Sequence, residues 1–157
     1  QGVFDVARQR METPSPRVAL GQALRGIAHA MADISDGLLG DLGHILKASR
    51  VGAEIEWTAT STLMQTAAQW SCPPDLAMTC VLSGGDDYEL CFTTPKNKRT
   101  EIESLSTALL PLTRIGSITS IANAAESELI LRAANGNVLT TAESMQLMQS
   151  FDHFKSN

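Results

Sequence analysis

Positive charge is scarce in this chain. Its 12 Lys and Arg are scattered among 17 Asp and Glu, for a net charge of −5. A nucleic-acid surface gathers Lys and Arg into a stripe or patch, and none is present, so that class of partner is set aside. No apolar run approaches the roughly 20 residues that span a bilayer, which excludes a helical membrane span. No basic start leads into an apolar stretch, so no secretory signal is visible. Only three cysteines occur, Cys72, Cys80 and Cys91, and no two form a C-x-x-C pair. An odd, unpaired set argues against a disulfide framework or a zinc site. It fits a reduced, cytoplasmic setting, with the thiols expected as small buried apolar residues. Several phosphate-binding signatures are also missing. Gly21 to Gly26 open like a P-loop, but Ile27 and Ala28 stand where the Lys and Ser/Thr should be. There is no G-x-G-x-x-G loop and no G-x-S-x-G nucleophile elbow.

What remains is an ordinary globular composition: 157 residues, 43% hydrophobic and 18% charged, enough for one domain around a single core. The Pro14-Ser15-Pro16 stretch breaks any early helix. Apolar spacing predicts a helix over 18–31, with Val18, Leu20, Leu24, Ile27 and Ala28 facing inward. After a break at 33–36, Ser35 is a suitable N-cap for a second helix to about residue 49. That helix would turn Leu38, Leu42, Ile45 and Leu46 to the core and stop near Gly52. Residues 53–57 alternate as a half-buried strand. Helical turns are expected over 63–70 and 75–82, then a loop over 83–87. A strand follows over 88–93, with Tyr88, Leu90 and Phe92 on one face. A helix over 95–110 leads to a strand over 113–119. Asn135-Gly136 marks a hairpin between 128–132 and 138–140, and a last helix covers 142–149. Interleaved strands and helices predict an α/β or α+β layered domain with one mixed sheet and packed helices.

Two clusters hold groups suited to phosphate chemistry. Asp33-Ile34-Ser35-Asp36-Gly37-Leu38 places two carboxylates beside a helix start. Unpaired N–H groups there favour anions. Carboxylates tolerate a neighbouring phosphate when a cation such as Mg²⁺ bridges them, with Asp33 and Asp36 the natural ligands and Ser35 able to hydrogen-bond the phosphate. Equally, Ser35 could simply cap the helix, with Asp36 complementing its dipole. Ser83-Gly84-Gly85-Asp86-Asp87-Tyr88-Glu89-Leu90 could let a ligand approach the glycine backbone closely. It could instead be a helix stop and tight turn, with Asp87 and Glu89 facing solvent. Phe151, near the end of the chain, could stack on a flat heterocycle or pack the last helix. His29 and His44 form no metal spacing with each other.

In order along the chain, Pro14-Ser15-Pro16-Arg17, Asp33-Ile34-Ser35-Asp36-Gly37-Leu38 with Asp41-Leu42, Val51-Gly52-Ala53, Gly84 to Thr93, Arg114-Ile115-Gly116-Ser117-Ile118 and Phe151-Asp152-His153-Phe154 resemble one family. It is thiamine-monophosphate kinase, within the aminoimidazole-ribonucleotide-synthetase-like superfamily, and the likeness is to its C-terminal domain. Selenophosphate synthetase and hydrogenase-maturation proteins of that superfamily remain alternatives, as does a non-catalytic ligand-binding domain. The Gly-Gly-Asp-Asp-Tyr-Glu-Leu stretch favours the thiamine branch. The resemblance implies ATP- and Mg²⁺-dependent phosphorylation of thiamine monophosphate to thiamine diphosphate. It implies Asp33 and Asp36 as Mg²⁺ ligands, Ser35 as an ATP contact, and Asp86 and Phe151 as contacts to the thiamine substrate. Asp86 stands where the family commonly has Glu, and Ser150 where a Gly precedes the aromatic. Residues 1–157 are accordingly expected to be a single C-terminal domain of a longer kinase. The N-terminal ATP/metal-binding domain would be absent from this chain, the fragment alone inactive, and the full-length protein a homodimer.

Overall fold

The computed structural model describes residues 3–63, 72–121, 129–133 and 135–138. Helix α1 (Val3–Glu12) and helix α2 (Val18–Ala23) precede strand β1 (Ala30–Asp33). Helix α3 (Leu38–Ser49) leads into β2 (Gly52–Glu56) and the short α4 (Trp57–Thr60). Helix α5 (Pro74–Ser83) comes before β3 (Leu90–Thr93), and α6 (Arg99–Leu105) before β4 (Gly116–Thr119) and β5 (Leu129–Arg132). The expected mixed α/β class holds. Among the described residues, however, the strands form two small sheets rather than one. β1 pairs with β3 antiparallel, and β2 lies between an antiparallel β4 and a parallel β5.

Helix α3 joins the two sheets and supplies more of the core than any other element. Leu38, Leu42, Ile45 and Leu46 are buried, as their spacing predicts, and Leu39 is buried beside them. Ala53 and Ile55 of β2, Leu131 of β5, Leu82 of α5 and Cys91 of β3 complete the cluster around it. Truncating a Leu in such a position typically costs about 2–5 kcal/mol.

Several boundaries depart from expectation for identifiable reasons. The helix over 18–31 stops at Ala23, because Ala30–Asp33 is recruited to pair with β3 and Gly26 turns the chain at φ 75°; sheet pairing overrides helical spacing here. Ser35 does not cap α3. Gly37 occupies that position, at φ 107° and with no side-chain cap. The helix ends on Arg50, which takes the left-handed conformation, while Gly52 opens β2. The helix over 95–110 shortens to a 3-10 turn (Lys96–Lys98) plus α6. The strand over 113–119 shortens to β4, which Gly116 starts, and a Cβ there would collide with the Glu54 carbonyl oxygen. The Asn135-Gly136 hairpin is present, with Gly136 at φ 82° and Arg132 bridged to Val138. Of the thiols, only Cys91 is buried; Cys72 is half-buried and Cys80 exposed, and all three are free. The expected helices over 63–70, from residue 64 on, and over 142–149 lie outside the described residues, as does Phe151. No helix among the described residues is long and apolar enough to cross a membrane.

Candidate functional site

The antiparallel pairing of β1 and β3 brings the two acidic clusters together. Asp33 ends β1 opposite Leu90, the first residue of β3. The pairing continues past the strand ends into both loops. Ile34 donates its N–H to the Glu89 carbonyl (2.9 Å), Tyr88 N–H donates to the Ile34 carbonyl (2.8 Å), and Asp86 N–H donates to the Ser35 carbonyl (2.9 Å). Segments 33–37 and 84–89 thus form one irregular ledge at the entry to α3.

Glycines allow this close approach. A Cβ at Gly85 would lie 2.5 Å from the Ser35 carbonyl oxygen, and one at Gly37 would lie 2.9 Å from the Ser83 backbone. Both distances are too short for any side chain, so these glycines serve loop-on-loop packing. Two residues with side chains also adopt left-handed backbone in the ledge, Asp86 at φ 64° and Tyr88 at φ 51°. Aspartate tolerates this region, whereas for tyrosine it costs about 1–2 kcal/mol.

The D-x-S-D turn is held from within. Asp41, on the first turn of α3, is only 6% exposed although it lies on the apolar face. One of its carboxylate oxygens accepts the Ser35 N–H at 2.9 Å and the Asp36 N–H at 3.1 Å. Amides of the turn before the helix are therefore satisfied by a carboxylate, which also complements the positive helix start.

Asp33, Asp36 and Asp86 remain exposed at the ledge. Among the described residues, the ion pairs involve other acids, Glu12, Glu54, Glu89 and Glu101. The Ser35 hydroxyl lies 3.4 Å from an Asp36 carboxylate oxygen. The Tyr88 hydroxyl donates to Asp86 at 3.1 Å. That hydrogen bond holds the phenol above its ordinary pKa, and the charges of Asp86, Asp33 and Asp36 push it further in the same direction. The charges of all three carboxylates thus act on the Tyr88 hydroxyl. Such an acceptor-only set suits a hard cation such as Mg²⁺, which takes one or two carboxylates and completes its shell with water and phosphate oxygens. Asp36, Asp41 and His44 also each offer a ligand atom, all within 4.8 Å of one another. Helical folding places His44 one turn beyond Asp41, a proximity that the spacing of His29 to His44 could not reveal.

The structure brings together Asp33, Ser35, Asp36 and Asp86; Phe151 lies outside the described residues. It corrects the expectation for Glu89, which does not simply face solvent. Its carboxylate accepts two N–H groups from Arg17 (2.8 and 2.6 Å) and one from Arg10 (2.6 Å). Asp87 is exposed as expected. Sequence reasoning missed Asp41 and Tyr88 as parts of the site. The usable signs were an acid on the apolar stripe of α3 and the chain's single tyrosine placed beside the paired glycines.

A family model for the C-terminal domain of AIR synthase related protein matches residues 5–124. Thiamine-monophosphate kinase of Haemophilus influenzae is 38% identical over 151 residues, covering 96% of this chain and 43% of that protein. The crystal structure of thiamine-monophosphate kinase from Stenotrophomonas maltophilia K279a is similar with a TM-score of 0.67 and 38% identity, over 87% of this chain and 40% of that one. A structure of AaThiL complexed with AMPPCP and TMP is similar with a TM-score of 0.60 and 25% identity, over 88% of this chain and 40% of that one. The chain thus spans less than half the length of the relatives it matches.

Proposed function

Because the chain belongs to the AIR synthase related C-terminal domain family, we propose that it is the C-terminal domain of a thiamine-monophosphate kinase. The whole protein would transfer the γ-phosphoryl group of ATP to thiamine monophosphate, giving thiamine diphosphate. One observation carries this reading most directly: the Asp86 N–H to Ser35 carbonyl bond, which seats the Gly-Gly-Asp-Asp-Tyr loop against the D-x-S-D turn. Relatives at 38% identity bearing that name support it, as does the likeness to a protein holding AMPPCP and TMP.

In this reading Asp33 and Asp36 would hold Mg²⁺, which when bound would neutralise charge on the phosphates. The chain's own residues position the reactants. Asp41 fixes the turn by accepting the Ser35 and Asp36 amides, and Ser35 would contact the phosphates of ATP. Asp86 would face the cationic thiamine, with Tyr88 orienting its carboxylate. Phe151 would offer an aromatic face to the same cation. Phosphoryl transfer asks little covalent chemistry of the protein. It asks for placement and charge compensation, and an acidic ledge pinned by backbone bonds suits that demand.

Further metal-binding acids and the remaining nucleotide pocket would come from an N-terminal domain of a longer, homodimeric, cytoplasmic kinase. The test is direct. Full-length protein given ATP, Mg²⁺ and thiamine monophosphate should form thiamine diphosphate, measured by chromatography, and should stop when Mg²⁺ is chelated. Absence of product with all three present refutes the proposal.

A further inference from the structure

The loop that carries Asp86 holds an unfavourable shape. Asp86 and Tyr88 are both left-handed, and such residues persist only where their surroundings over-determine them. Backbone bonds to Ile34 and Ser35 fix one side of the loop. The other side is held by a charged cluster that the reading above does not use. Glu89 receives Arg17 in a two-pronged contact, Nε at 2.8 Å and Nη2 at 2.6 Å, and Arg10 Nη2 at 2.6 Å. Arg10 Nη2 also donates to the Asp87 carbonyl at 3.0 Å. These partners are 72 to 79 residues away in sequence. Arg10 belongs to α1, and Arg17 directly precedes α2, where a Cβ on Gly21 would lie 3.8 Å from the Leu90 and Met31 side chains.

We propose that Glu89, gripped by Arg10 and Arg17, is the positioning residue that holds the Asp86–Tyr88 loop in its left-handed, substrate-facing form. The proposal rests on the kinase reading for its consequence, not for its geometry. A planar guanidinium matches a carboxylate in two places at once, so Arg17 restrains the orientation of Glu89 as well as its distance. Arg10 then ties the same carboxylate and the neighbouring Asp87 carbonyl to α1. The Glu89 carbonyl accepts from Ile34, so the grip is transmitted to both loops. Charge alone would not do this, because a point cation leaves the loop free to turn about the contact.

The test uses Glu89→Gln and Arg17→Lys in the full-length protein. The first removes the charge and keeps the shape; the second keeps the charge and removes the fork. Hydrogen exchange of the Asp86 and Tyr88 amides should quicken about tenfold in Glu89→Gln, the size expected from losing hydrogen bonds to a charged group, while α3 is unchanged. Arg17→Lys should fall between it and the parent. In turnover, KM for thiamine monophosphate should rise about tenfold, with KM for ATP within twofold. Unchanged loop exchange overturns the proposal. So does equal quickening in α3, which would make the cluster a general stabiliser. Faster loop exchange with an unaltered KM overturns it too. Should the parent protein make no thiamine diphosphate, the kinase reading fails and the exchange data alone decide the clamp.

Discussion

Asp41→Asn is the substitution that tests most of the site at once. The side chain is buried, and one oxygen accepts two backbone N–H groups, from Ser35 at 2.9 Å and Asp36 at 3.1 Å. Asparagine has nearly the same shape, and its carbonyl can face the same two amides. What it loses is charge. Charge-assisted hydrogen bonds are roughly twice as strong as neutral ones, so each bond should weaken by about 1 kcal/mol. The lost complement to the helix start adds about 0.5 kcal/mol. The sum is about 2–3 kcal/mol. For a domain of this size that lowers the thermal midpoint by roughly 5–10 °C. In urea, with a slope of about 2 kcal/mol per molar, the midpoint should fall by about 1 M. Asp41→Ala should cost more, about 3–4 kcal/mol, because two amides lose their acceptor and a small void opens. The assay is urea unfolding followed by circular dichroism at neutral pH, with Mg²⁺ binding measured in parallel. Stability within about 0.5 kcal/mol of the parent for Asp41→Asn would refute the view that this carboxylate organises the turn.

Other expectations follow from neighbouring positions. Asp33 is exposed, so Asp33→Asn in the full-length protein should change stability by no more than about 0.5 kcal/mol while turnover falls roughly a hundredfold or more; steady-state kinetics beside a melting curve separates the two. Gly85→Ala must move the Ser35 carbonyl, 2.5 Å from the new methyl group, at a cost of about 1–3 kcal/mol, whereas Gly43→Ala, with open space at its Cβ, should be neutral or slightly stabilising. Burial, helped by the charge of Asp41, pushes the Cys91 thiol up to about 11 from an ordinary 9.0. The folded state then keeps its proton longer than the unfolded state, so Cys91 contributes a loss of stability as pH climbs from about 9 to about 11. Denaturant midpoints of parent and Cys91→Ala across that window should converge on this slope; identical slopes would count against it. At pH 8 a thiol reagent should modify Cys80 in the native protein but reach Cys91 only after unfolding.

The acidic clusters could be read as candidate chemistry because residue type and short spacing carry that information directly. Asp33 with Asp36, and the paired glycines before Asp86, needed no contact from elsewhere to be noticed. The core stripe of α3 was legible for the same reason, since helical spacing depends on nearby residues alone. The fate of Ala30-Met31-Ala32-Asp33 was not. Those residues continue a helical apolar pattern, and only β3, about 60 residues onward, offers the hydrogen bonds that make them a strand. Ser35 illustrates the same limit at one residue. Its type marks it as a cap, yet the Asp41 carboxylate occupies the turn amides and Gly37 takes the cap position.

Sequence alone thus determined the chemical inventory: an acidic domain with no basic stripe, no P-loop lysine and two carboxylate-bearing turns. Tertiary structure decided how that inventory is arranged. It placed Ser35 against Asp86, Tyr88 against Ile34, and Glu89 between Arg10 and Arg17. The physical reason is range. Propensity, spacing and charge act over a few neighbouring residues, whereas these contacts join segments some 50 to 80 residues apart. Such contacts exist only once sheet pairing and core burial have offset the entropy of bringing the segments together.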